Sequence, residues 1–199
     1  MRTIISCTAL AALVIHAGCG DEGGSINENE VITTVMLSFV PPTGDPITAE
    51  FDDPDGDGGA APMVDPVNLV AATSYALTVR FQNRLEDPAE EITDEVSQES
   101  HNHLLLFTGT AVVGPATSNT TGPLTHSYGD SDANGLPIGL RNTIVAASGT
   151  GQLLVTLRHM PPEQPPVKSA TTVDDVKANG IDAIGGSTDA QVSFDVTVP

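Results

Sequence analysis

Short runs in which apolar and polar residues alternate recur along most of the chain, separated by Gly, Pro, Asp and Asn. Alternation with period two puts each set of side chains on its own face of a strand. Val31, Thr33, Val35, Leu37 and Phe39 alternate with Ile32, Thr34, Met36 and Ser38. Tyr75, Leu77, Val79 and Phe81 do the same against Ala76, Thr78, Arg80 and Gln82, and Val192, Phe194, Val196 and Val198 against Ser193, Asp195 and Thr197. Further strands are predicted over 47–51, 104–113, 143–147 and 152–159. Short strands between turn residues predict one mainly β domain over 31–199, an immunoglobulin-like antiparallel β-sandwich.

One segment departs from this pattern. Asp87-Pro88-Ala89-Glu90 has a capping acid, Pro at the first helical position and Glu at the third, which predicts one short acidic helix running to about residue 100. Its apolar stripe, Ala89, Ile92 and Val96, is wide enough to dock on a sheet but not to form a core helix.

The N-terminus follows another rule. Arg2, an apolar run from Ile4 to Ile15, and small residues before Cys19 read as an export signal over 1–18, too short to stay as a membrane span. Cleavage there removes Cys7 and leaves Cys19 as the one thiol, so no internal disulfide is expected. Ile15-His16-Ala17-Gly18-Cys19 resembles the signal box of bacterial lipoproteins, with His16 where Leu is usual. The resemblance implies lipidation of Cys19 and anchoring to a membrane of the cell envelope, on the periplasmic or surface side of the outer membrane. Gly20-Asp21-Glu22-Gly23-Gly24-Ser25 opens a flexible acidic tether over 19–30.

Composition narrows the function classes. The 199 residues hold 26 acids and 7 bases, a net charge of −19, while only 17% are charged. Seven scattered bases cannot build a phosphate-binding surface, which argues against nucleic acid. No G-x-S-x-G elbow, P-loop or G-x-G-x-x-G follows a predicted strand, so the expectation is a non-enzymatic module that binds a protein or small molecule.

The acids gather in two groups of seven, over 45–65 and 86–99. In the first, Asp53, Asp55, Asp57 and Gly58 match the D-x-D-x-D-G opening of a calcium loop, whose alternate acids turn oxygens inward around a Gly bend. Val64 stands where an EF-hand Glu would close the loop, and Asp65 is a substitute one residue later. Asp130, Asp132 and Asn134 before Gly135 form a second partial match, with Arg141 at the closing position. Calcium is therefore a candidate ligand at both loops, against the commoner use of such clusters as plain turns.

The alternative is a copper or zinc site. Glu99 ends a Glu91, Glu95, Glu99 series, and His101 and His103 follow it two apart, so that on a strand both would face one side. His126 and His159 are the remaining candidates for the same set. Finally, the order of a lipidated cysteine, a strand, an Asp-Pro-Asp-Gly-Asp-Gly loop, an acidic helix before a histidine and Leu157-Arg158-His159 resembles small uncharacterised bacterial envelope lipoproteins. Some of these carry a periplasmic-binding-fold label. That fold needs alternating strands and long helices, which this pattern lacks.

Overall fold

The computed structural model describes residues 30–56 and 59–199. In chain order the elements are β1 (Thr34–Val40), β2 (Ile47–Asp52), β3 (Met63–Val64), β4 (Val67–Asn68), β5 (Thr73–Asn83) and β6 (Glu90–Glu91). Then come α1 (Thr93–Gln98), β7 (His103–Thr108), β8 (Val112–Val113), β9 (Leu124–Tyr128), β10 (Arg141–Ala146), β11 (Gly149–His159), α2 (Thr172–Asn179) and β12 (Ser187–Val198). The larger sheet runs β3-β2-β1-β5-β10-β9-β8, with β6 paired to β5, and the smaller runs β4-β12-β11-β7. The protein is mainly β, as the alternation predicts. Pairing is antiparallel except for the short β4–β12 and β8–β9 contacts, which are parallel.

In β1, β5 and β12 the buried face is the one the alternation specifies. Val35, Leu37 and Phe39 of β1, Tyr75, Leu77, Val79 and Phe81 of β5, and Val192, Phe194, Val196 and Val198 of β12 share one core with Leu153, Val155 and Leu157 of β11. Both sheets contribute to it. β7 is buried on both faces, because Leu105 and Phe107 enter this core while Leu104 and Leu106 join Met160, Val176 and Ile184 in a second, smaller one. α2 covers that outer cluster through Val176. None of the helices among the described residues is long and apolar enough to cross a membrane.

The helix departs from expectation. It spans Thr93–Gln98 rather than starting at Asp87, and Glu90–Glu91 are instead a strand on the edge of β5. Glu91 bonds Arg80 and Gln82 across that edge, and Ile92 N–H donates to Phe81 O. Cross-strand partners thus outcompete the capping signal for these two residues. α2 is a second helix that the sequence pattern did not call.

Truncating Phe194, fully buried at the centre of the shared core, is expected to cost about 3–5 kcal/mol in urea unfolding. Val145→Thr, on the exposed face of β10, should change stability by no more than about 0.5 kcal/mol.

Candidate metal centre

Three strand ends meet at one end of the core. On β11 the side chains of Leu153, Val155 and Leu157 face inward, and by the same alternation His159 follows them. His103, two residues before Leu105, does so on β7, and the two histidines are paired neighbours in register. Their rings stack at 4.5 Å with an interplanar angle of 16°. On β12 the register slips between Leu157 and Arg158, because Ala190 pairs with Leu157 and Thr188 with Arg158. Asp189 is the extra residue, and this bulge re-aims a side chain that strict alternation would send to the other face. Glu30 arrives from the segment before β1, in the opposite sheet.

Local contacts hold these side chains in place. Gly186 has φ +80, and a Cβ there would collide with the carbonyl of His159, so a side chain would push β12 off the end of β11. Arg158 donates to the carbonyls of Gly185 and Gly186 at 2.6 and 2.7 Å and to Thr188 Oγ1 at 2.7 Å, which fastens the approach to the bulge. Buried Lys168 donates to the carbonyls of Ser100 and His103 at 2.7 and 2.9 Å and pairs with Asp132 at 3.0 Å. It ties the loop ahead of α2 to the start of β7.

Glu30, His103, His159 and Asp189 each offer one ligand atom, and these atoms all lie within 4.8 Å of one another. Side-chain exposure is 0% for His103 and Asp189, 5% for Glu30 and 6% for His159. Glu30 Oε1 is 3.1 Å from His103 Nε2, and Asp189 Oδ2 is 4.0 Å from the same nitrogen. The other nitrogen, His103 Nδ1, lies 3.2 Å from the carbonyl of Glu99. A carbonyl only accepts, so Nδ1 carries the proton and the Nε2 side is turned toward the two carboxylates.

The ligand oxygens of those two carboxylates lie within 4.8 Å of each other, and neither can donate while ionised. Glu30 Oε2, Asp189 Oδ2 and His159 Nδ1 have no hydrogen-bond partner among the described residues. Burial and then the charge of Glu30 push the Asp189 carboxyl up to about 7. Burial works against charge on His103 too, but the hydrogen bond and charge of Glu30 hold its imidazole above the ordinary value. Burial and the charge of His103 hold His159 below it. Two orphaned carboxylate oxygens and an orphaned imidazole nitrogen, all buried, form a set of electron-pair donors that could hold a metal ion.

The structure sorts the residues singled out in the sequence. His103 and His159 converge, and Glu99 reaches them from outside, its Oε2 3.9 Å from His159 Nε2. His101 does not join them, because it lies exposed in the turn after α1 rather than on a strand. His126 is buried against Phe107, with Nε2 2.9 Å from Asn142 Oδ1, and belongs to the core of the larger sheet. Of the first acidic loop, Asp57 lies outside the described residues, as do Cys19, the signal over 1–18 and the tether up to residue 29. Asp55 Oδ2 accepts from Ala60 N–H, and Asp65 Oδ2 from Glu50 N–H within the β2–β3 pairing. Asp53, at the end of β2, donates its backbone N–H to Thr33 O.

In the second loop the carboxylates accept from backbone donors. Asp130 accepts from the backbone N–H groups of Gly139 and Arg141, and Asp132 accepts from those of Asn134 and Leu136 besides pairing with Lys168. Asn134 contributes its backbone to this turn. These oxygens face N–H donors, and the contacts they make fix a turn.

Glu30 and Asp189 were missed. Asp189 is announced only by a bulge, which breaks the alternation that makes strands readable, and Glu30 only by its position next to a strand. Comparison with protein-family models, curated proteins and solved structures finds no match to this chain.

In chelated protein Asp189 binds its proton more tightly folded than unfolded, so its contribution falls as pH rises from about 4 to about 7. Asp189→Asn, neutral throughout, should therefore gain stability relative to the native chain across that window. Urea melts with chelator on either side of the window measure it, and a constant difference would contradict the assignment.

Proposed function

We propose that this protein is a lipid-anchored bacterial envelope lipoprotein, an immunoglobulin-like β-sandwich closed at one end by a buried transition-metal centre of Glu30, His103, His159 and Asp189. The observation that carries this is the meeting of two buried carboxylates with no donor between them, beside an unpartnered imidazole nitrogen. A divalent cation supplies the charge that such a set lacks. Two imidazoles favour zinc or copper over calcium, which takes oxygen ligands. Two nitrogens and two oxygens suit tetrahedral zinc, whose ligand atoms sit about 3.3 Å apart. His103 Nδ1–H on the Glu99 carbonyl is the outer contact that metal-bound histidines ordinarily make.

Four protein ligands fill a tetrahedral shell, so the centre is of the closed, structural kind, and the protein acts as a binding module rather than an enzyme. Calcium at the acidic loops is the weaker reading, since the second loop's oxygens are taken by backbone donors and Lys168. The Cys19 box, with its resemblance to lipoprotein signals, supports the envelope location.

Elemental analysis of tag-free protein loaded with zinc or copper and then desalted should find about one ion per chain. Zinc at about a hundredfold excess over Kd should add about 2.7 kcal/mol, a melting rise of several degrees. His103→Ala and Asp189→Asn should abolish both effects, while Asp55→Ala and Asp130→Asn keep them. No stoichiometric metal in the native chain would sink the proposal. Separately, Cys19→Ser should move the protein from the membrane to the soluble fraction of cells.

A further inference from the structure

A shell as enclosed as this one cannot accept a hydrated ion in one step, because the ion must shed its waters before buried ligands replace them. The rim of the site contains a group placed for that exchange. We propose that Glu99 is the entry ligand of the centre, an outer carboxylate that takes the incoming metal ion and passes it to His159. The inference rests on the metal reading of the four buried groups.

Three observations support it. First, the Glu99 side chain is 47% exposed, whereas His159 beside it is 6% exposed and the deeper ligands less still. The two thus span the boundary between solvent and the buried cluster. Second, Glu99 Oε2 and His159 Nε2 are 3.9 Å apart, close to the roughly 3.3 Å that separates two ligands of one tetrahedral zinc. One ion can bind Glu99 Oε2 and His159 Nε2 together with a small side-chain shift. Third, the carbonyl of Glu99 receives Nδ1 of His103, so the residue that meets the ion outside also orients an inner ligand.

The acidic helix gives this entry point its field. Glu95, one turn before Glu99, has its carboxyl raised by burial and then by the charges of Glu30, Glu99 and Glu90, so negative potential accumulates along this side. A cleft lined by one sign of charge raises the local concentration of counter-ions and their on-rate, and salt weakens the effect.

Stopped-flow zinc loading of the full chain, with release followed by a chromogenic chelator, separates the roles. A transient ligand lowers the barrier in both directions. In Glu99→Gln the on-rate and off-rate should therefore fall together, by about tenfold, with Kd nearly unchanged and a weaker dependence of the on-rate on salt. Glu95→Gln should alter only the salt dependence. Unchanged rates in Glu99→Gln would overturn the inference, and so would a faster off-rate at constant on-rate, which marks a resident ligand. Failure of the native chain to bind zinc at all would instead remove the metal reading itself. Glu99 is half-exposed, and an unchanged far-UV spectrum for the variant excludes misfolding.

Discussion

Two carboxylates buried against each other set the terms for the whole end of this molecule. Asp189 lies on β12 and Glu30 in the segment just before β1 of the other sheet, and their side chains meet almost fully buried. In a low-dielectric interior two like charges repel strongly. Against burial, the hydrogen bond and charge of His103 hold the Glu30 carboxyl below its ordinary value, while burial and the charge of Glu30 push that of Asp189 up. Such a pair persists only with a proton or a cation between its members. The positive edge of His103 and the raised proton affinity of Asp189 are the protein's answer without an ion. Under the proposed reading, a metal is the answer with one.

Holding that pair in place explains several features that are otherwise unconnected. The bulge at Asp189 weakens the β11–β12 ladder by leaving one residue unpaired. Arg158 offsets part of this by clamping the two preceding carbonyls, and Gly186 permits the close approach. Lys168 is the other costly element, a buried cation whose hold on its proton is weakened by burial. Its ammonium is met by Asp132 and two carbonyls, so the loop that resembles a calcium site serves as the anion of a buried ion pair. That pairing fixes the backbone of His103. The calcium-like turn and the candidate metal centre are therefore two ends of one hydrogen-bonded path through Lys168.

What could be read in the sequence divides along the same line. Strands such as Thr73–Asn83 and Ser187–Val198 were legible because burial on one face writes a period-two pattern, and their core residues are those the pattern named. His103 and His159 were legible as residue types but not as a pair. Pairing across β7 and β11 is a matter of register between distant segments, which no local pattern encodes. His101 was misplaced because a turn, held by Asn102 N–H on Glu99 O, precedes the strand that would have aligned it with His103. The helix was placed too early because its capping signal is local, while the pairing of Glu90–Glu91 with β5 is not.

The chain's cysteines show why an ion is a sensible closure for this fold. Both lie in the first 19 residues, so no disulfide is available within the domain to tie its sheets together. A metal bound by Glu30 and Asp189 joins positions near the two ends of the domain, and by His103 and His159 it also joins the middle. Cross-links between distant positions remove the most freedom from the unfolded chain, and a folded-state metal site adds its binding free energy to folding. The excess of acids then has two separate physical roles. Many of the described ones are exposed, among them Asp45, Asp55, Glu86, Asp87, Asp94 and Glu95, where their field attracts cations. Two are buried where only a cation or a proton can balance them.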